Sequence, residues 1–253
     1  DAIRIDKSFS NFSGVNIVVN KIKKYNESGS YLENTLTQSY QRIGIERELS
    51  FLLRGYTTFN NTDYALLYKS EPEGHFVGFE VDGEIGSLNI YNEIAYLSGT
   101  DKITMPGSYQ GNLLKNYFMN VLGINYRFKN NLQITVEHLF NGLGDSSNLD
   151  ASNIRYKNGL NKSLNEHVTG ISLNYEFNPL LIGKYDSKIA WQDSSHQHNI
   201  TLIKSITDNL DFILGSQINI GDRPSGSNWQ NPNIQSEFGR QNNKYFFQLK
   251  SYF

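Results

Sequence analysis

The chain has 253 residues, a formal net charge of -2 and no cysteine. Near-neutral charge excludes the basic footprint of a dedicated nucleic-acid binder, and the absence of Cys excludes a disulfide scaffold. Hydrophobic residues make up 38% and mean hydropathy is -0.49, and no apolar run approaches the roughly 20 residues of a membrane helix.

Only 5 Pro stand beside 16 Tyr and 15 Phe, a composition that suits a strand-rich chain. A membrane β-barrel conceals its hydrophobicity, because lipid meets only every second strand residue. The chain begins at Asp1 with no signal segment, which reads as a processed or trimmed product.

Strand side chains alternate between two faces, so alternation is the first signal and turn residues the second. Residues 12–25 read as a first strand, followed by the polar loop that Asn26 opens. In 41–59, Ile43, Ile45, Leu49, Phe51 and Leu53 share one face, broken by Arg47; Gly44, Glu46, Glu48, Ser50 and Arg54 share the other. Asn60-Asn61-Thr62-Asp63 is turn chemistry, 64–70 a short strand, and Glu71-Pro72-Glu73-Gly74 a second turn. In 75–86, Val77, Phe79, Val81 and Ile85 oppose Gly78, Glu80, Asp82 and Glu84. Gly86-Ser87 is a hairpin signal leading into strand 88–98, which carries Glu93.

A loop over 99–112 precedes a strand over 113–128 and a turn at 129–131. Leu132, Ile134, Val136, His138 and Phe140 then oppose Gln133, Thr135 and Glu137. A long polar loop over 143–166 leads to Ile171, Leu173, Tyr175 and Phe177 opposite Ser172, Asn174 and Glu176. Strands at 180–192, 197–206 and 210–221 follow, then a loop over 222–241 and a closing strand to Phe253. In that last strand Tyr245, Phe247, Leu249 and Phe253 share a face with Ser251.

The count is about twelve strands within a range of about ten to fourteen, with no helix and no domain boundary. Short turns alternate with other connections from residue 86 onward, which predicts residue 1 and Phe253 on the same side of the sheet. Tyr126, Phe128, Phe140, Tyr175, Phe177, Phe212, Tyr245, Tyr252 and Phe253 fall near strand ends, as aromatic girdles do.

The terminal strand resembles the C-terminal signature of bacterial outer-membrane β-barrel proteins. Residues 121–142, 171–181 and 206–221, continuing through 234–239 to the end, resemble porin-like outer-membrane proteins of Gram-negative bacteria. The resemblance covers roughly residues 110–253 and its motifs are strand-and-turn patterns, so it speaks to fold far more than to substrate. It implies one transmembrane antiparallel up-and-down barrel over 1–253, integral to the outer membrane and in contact with its lipid and lipopolysaccharide. It implies that the barrel-assembly machinery reads Tyr245, Phe247, Leu249 and Phe253. A homo-oligomer or another outer-membrane partner is compatible with it; nucleic acid is not.

A spanning sheet must close, because the bilayer offers no water to unpaired backbone groups. The polar faces then line the lumen, and the expected lining is Glu46, Glu48, Arg54, Glu80, Asp82, Glu84, Glu93, Arg127, Glu137 and Glu176. Rings of charge tune ion passage, and the acidic excess predicts weak cation preference. The expected function is passive diffusion of small hydrophilic solutes or ions, without catalysis or cofactor.

Three other readings stand beside it. One is a barrel enzyme of the lipid-hydrolase type, although no G-x-S-x-G is present. Another is a plugged structural or assembly-partner barrel. The third is a soluble or secreted β-sandwich whose charged face meets water. His196 and His198, two apart near Asp193, have a spacing that could hold a metal, but the spacing fixes no third ligand and the expectation is no metal. Glu137 and His138 are adjacent and so fall on opposite faces. Ser194, Ser195 and His196 are expected in a turn.

Overall fold

The computed structural model describes residues 2–25, 45–71, 74–99, 116–144, 163–225 and 234–252. They form thirteen strands: β1 (Ala2–Ser10), β2 (Ser13–Tyr25), β3 (Ile45–Phe59), β4 (Thr62–Glu71), β5 (Gly74–Ile85), β6 (Leu88–Gly99), β7 (Tyr117–Arg127), β8 (Leu132–Asn141), β9 (His167–Asn178), β10 (Leu181–Ala190), β11 (Ser195–Thr207), β12 (Leu210–Ile220) and β13 (Lys244–Ser251). Each pairs antiparallel with its neighbour in sequence, giving one up-and-down sheet in the order β1 to β13. The fold is all-β. β1 and β13 are the two edges of the sheet and are not paired with each other.

Local chemistry sets the turns. Asn60 and Asn61 join Phe59 to Thr62 with φ of 50° and 57°. Two positive φ values match the twist of a two-residue hairpin, and Asn tolerates them better than most residues. Gly86, with φ of 66°, does the same for the Gly86-Ser87 hairpin between Ile85 and Leu88.

Two expectations need correction. Residues 2–10 form a strand beyond the twelve expected, so the described residues hold thirteen, within the expected range of about ten to fourteen. Its alternation is weak, because Lys7 interrupts the face of Ile3, Ile5 and Phe9, and a register shift between Ser8 and Ser10 blurs the turn. The added strand also overturns the predicted parity. Residue 2 and Tyr252 lie at opposite ends of the sheet, since an odd number of antiparallel strands ends where it did not begin. Tyr252 shares one end, the turn end, with connections 11–12, 60–61, 86–87, 128–131, 179–180 and 208–209. The other, the loop end, carries connections 26–44, 72–73, 100–116, 142–166, 191–194 and 221–243.

The sheet has one apolar and one polar face. Register pairs such as Leu202 with Leu214 and Leu214 with Phe247 continue the apolar rows from strand to strand. Ile3, Ile5, Leu49, Leu66, Phe79, Leu122, Ile200, Leu214 and Phe247 are all exposed on it. A contiguous exposed apolar surface of this extent is larger than water-facing proteins ordinarily show. Apart from Ala65 on β4, the buried hydrophobic residues among those described, Leu143, Leu164, Ala190, Ile234 and Phe238, lie at the loop end.

Candidate functional site

By backbone alternation, every Asp and Glu within the strands takes a position on the polar face. They are Asp6, Glu46, Glu48, Asp63, Glu71, Glu80, Asp82, Glu84, Glu93, Glu137, Glu176, Asp186 and Asp211. Arg4, Lys24, Arg54, Lys69, Arg127, Lys184, Lys188, Lys244 and Lys250 share that parity. The apolar face takes no carboxylate; its charged strand positions are Lys7, Lys21, Lys23, Arg47 and Lys204. All ten residues expected to line a lumen therefore sit on one face, Glu46 and Glu48 by their pairing with Lys24 and Ile22.

The polar face is knitted by hydrogen bonds. Arg54 Nη2 donates to Glu80 Oε2 at 3.2 Å, crossing β4, and the guanidinium lies 5.4 Å from the centroid of the Tyr56 ring. Asn89 donates to Asp82. Asp6 accepts from Arg4 at 2.9 Å and from Asn16 at 2.7 Å. Ser172 donates to Asp186, and Ser205 to Asp211, each at 2.7 Å.

The Tyr91 hydroxyl donates to Glu137 across β7. Tyr91, Gly123 and Glu137 occupy one register row. Gly123 makes that reach open to the ring: a Cβ there would overlap Tyr91.

At the loop end, three connections fold over this same face. Glu237 Oε2 accepts from Ser163 Oγ at 3.1 Å and from the Leu164 amide at 2.5 Å. Asp193 Oδ2 accepts from Asn165 Nδ2 and from the Glu237 amide, each at 2.7 Å. Ser195 Oγ accepts from the Phe238 amide at 3.2 Å. Ser195 pairs with Ala190, and both belong to the polar face and are fully buried. Gln217 donates to Gln241 at 2.9 Å and the Asn219 side chain to the Asn242 carbonyl at 3.0 Å, holding the approach to β13 above β12.

Burial pushes the Glu237 carboxyl above the ordinary carboxylate range. Bonds from Leu164, Asn165 and Ser163 work against that shift, and Asp193 adds to it.

This loop cluster was not legible in the sequence. Glu237 and Leu164 are 73 residues apart, and neither flank carries a motif. Of the expected loops, 99–112 lies outside the described residues apart from Gly99, as do 145–162 and 226–233.

The catalytic and metal expectations can be placed as well. Glu137 faces Tyr91, whereas His138 is on the apolar face with Nε2 3.1 Å from His167 Nδ1 and Nδ1 2.9 Å from Thr169 Oγ1. His196 and His198 stack with centroids 6.2 Å apart. Among the described residues no group of three or more His, Asp or Glu is placed to hold a metal ion. Ser194 occupies the turn, with φ of 55°, but Ser195 and His196 begin β11 rather than belonging to it. Backbone pairing of Ser195 with Ala190 extends the ladder past the polar residues that suggested a turn.

Of the aromatic assembly signal, Tyr245, Phe247 and Leu249 line the apolar face of β13 and are exposed; Phe253 lies outside the described residues. No protein-family model matches the chain, and no curated protein matches it.

Proposed function

We propose that the sheet curls with its apolar face outward into a transmembrane barrel of the outer membrane, and that the polar face lines a channel for small hydrophilic solutes or ions. One observation carries this reading: across all thirteen strands the carboxylates share one face, and the other is a continuous exposed apolar surface. Lipid is the solvent such a face requires over so large an area. The two ends support it too, because membrane barrels have short turns at one rim and longer loops at the other. A wet lumen also accommodates Glu80, Asp82, Glu84 and Glu93, which a sealed core would accept only if each were paired.

Closure is part of the proposal. β1 and β13 run in the same direction, so a direct seam between them is a parallel pairing. An all-antiparallel ring needs an odd number of further strands at that seam. In either ring, the thirteen carboxylates exceed the nine cationic side chains on the polar face, which favours weak cation selectivity.

The loop cluster favours a second reading, a barrel whose lumen is stoppered by Asp193, Glu237 and their partners. Conductance in a planar bilayer under a salt gradient separates the two. Discrete steps with a reversal potential on the cation side support an open pore. A folded protein that never conducts removes it in favour of the plug, and anion preference sinks the acidic-lumen argument.

A further inference from the structure

Besides its few Lys and Arg positions, the apolar face carries a band of imidazoles. All five His of the chain take positions on that face toward the loop end. Four of them lie on β8 to β11. His138 and His167 share a contact at 3.1 Å, and His198 Nδ1 is 2.9 Å from the Tyr185 hydroxyl. Trp191 Nε1 donates to Thr169 Oγ1 at 2.8 Å beside them, and the indole is 58% exposed.

The depth of this band can be worked out. From Phe177 at the turn end to His167 is ten residues along β9, about 33 Å of strand. At a tilt of about 40° that is about 25 Å along the membrane normal, the height of a barrel's apolar belt. His196 and Ile206 have the same spacing on β11. His167 and His196 therefore fall at headgroup depth, with His138 and His198 two residues farther in along the strands.

The charges nearby leave that position open to an anion. Strands β7 to β12 contribute no Asp or Glu to the apolar face, and Lys204 sits at the far end of β11. Glu166 precedes His167 and falls on the opposite face by alternation, while Asp193 is engaged inside the loop cluster. Among the described strand residues, the remaining titratable group in the band is the Tyr185 phenol.

We propose that this His band docks the phosphate of anionic lipid headgroups, and does so increasingly as pH falls. The proposal rests on the reading of the apolar face as lipid-facing. His is the side chain that changes charge between about pH 5 and 8, so the preference for anionic lipid is a switchable one.

Trp191 and Trp229 are the only Trp residues, so Trp229→Phe leaves Trp191 as sole reporter within the band. The protein is folded into phosphatidylcholine vesicles containing a minor share of either brominated phosphatidylglycerol or brominated phosphatidylcholine, and Trp191 quenching is compared at about pH 5.5 and pH 8. The expected result is a selectivity for the anionic lipid that rises about tenfold on acidification, the effect of one or two added surface charges. It should vanish in the variant with His138, His167, His196 and His198 all changed to Leu. His196→Lys/His198→Lys should keep the preference at both pH values.

A selectivity that does not change with pH, or that survives loss of the four imidazoles, overturns the proposal. So does its abolition by added inorganic phosphate, which would assign the site to a free anion. Absence of quenching by either lipid at any pH overturns the membrane reading itself, and the docking site with it.

Discussion

Two residues of β12 isolate the role of depth in the bilayer. Leu214 and Ile220 lie on the same apolar face of the same strand and are 50% and 51% exposed. Leu214 is near the middle, beside Leu202 and Phe247 in the register; Ile220 ends the strand at the loop end. Six residues separate them, about 20 Å of strand and about 15 Å along the normal at a tilt of about 40°. In a bilayer, Leu214→Arg should cost about 2–4 kcal/mol and Ile220→Arg about 0–1 kcal/mol. In water, two half-exposed surface substitutions should each stay within about 0.5 kcal/mol. The assay is urea-dependent folding into phosphatidylcholine vesicles, read from the mobility of folded and unfolded protein on unheated gels. Equal effects of the two substitutions, or a wild-type protein that folds without lipid or detergent, would refute a membrane-facing sheet.

Four further outcomes follow from the polar face and its cover. Gly123→Val places atoms where the Tyr91 ring lies and should destabilise by about 1–3 kcal/mol; adding Tyr91→Ala should recover part of that, a coupling seen in a double-mutant cycle of the same folding assay. Neutralising Glu80, Asp82 and Glu84 to Gln, Asn and Gln should move the reversal potential toward the anion side, since Arg54 then loses its carboxylate partner. Asn61→Val, at φ of 57°, should cost about 1–2 kcal/mol because a β-branched residue resists the left-handed region, with a lowered urea midpoint as the readout. The Glu237 carboxyl is raised by burial, so its contribution to the loop cluster is full at acidic pH and declines as pH rises through that raised value. Amide exchange at Leu164, corrected for intrinsic rate, should quicken over that interval in the wild type and not in Glu237→Gln.

How much could be read in advance depended on the range of the interaction. Alternation is local, so the polar set from Arg54 to Glu176 and the apolar set from Val77 to Leu249 were legible. Paired Asn at 60–61 and Gly86-Ser87 announced their hairpins for the same reason. β1 escaped because one Lys on its apolar side and a bulge at its end weaken a two-residue period over only 9 residues. That one strand was enough to invert the predicted side of the amino-terminal end, because parity propagates through the whole sheet. The loop cluster was illegible for a different reason. Asp193, Asn165 and Glu237 meet across up to 72 residues, and each alone looks like an ordinary polar loop residue.

The two faces therefore answer separate questions. The outer rows, from Ile3 through Leu122 to Phe247, decide whether the sheet belongs in lipid, and a depth-dependent Arg penalty reads that without reference to what passes inside. On the proposed channel reading the polar rows would decide passage, and there two features of the structure act against each other. In the proposed channel Asp82, Glu84 and Glu93 on β5 and β6 would draw cations toward the wall, whereas the cover held by Asp193 and Glu237 would narrow the same space near β8 to β12. These features lie on different strands, so one can be altered while the other stays. Asp193→Ala removes acceptors for Asn165, Ser195 and the Glu237 amide and should loosen the cover while leaving Glu80, Asp82 and Glu84 in place. If the lumen is open in the wild type, conductance should rise modestly and cation preference persist. If it is stoppered, conductance should appear only in the variant, and its selectivity would then be the first reading of the acidic wall.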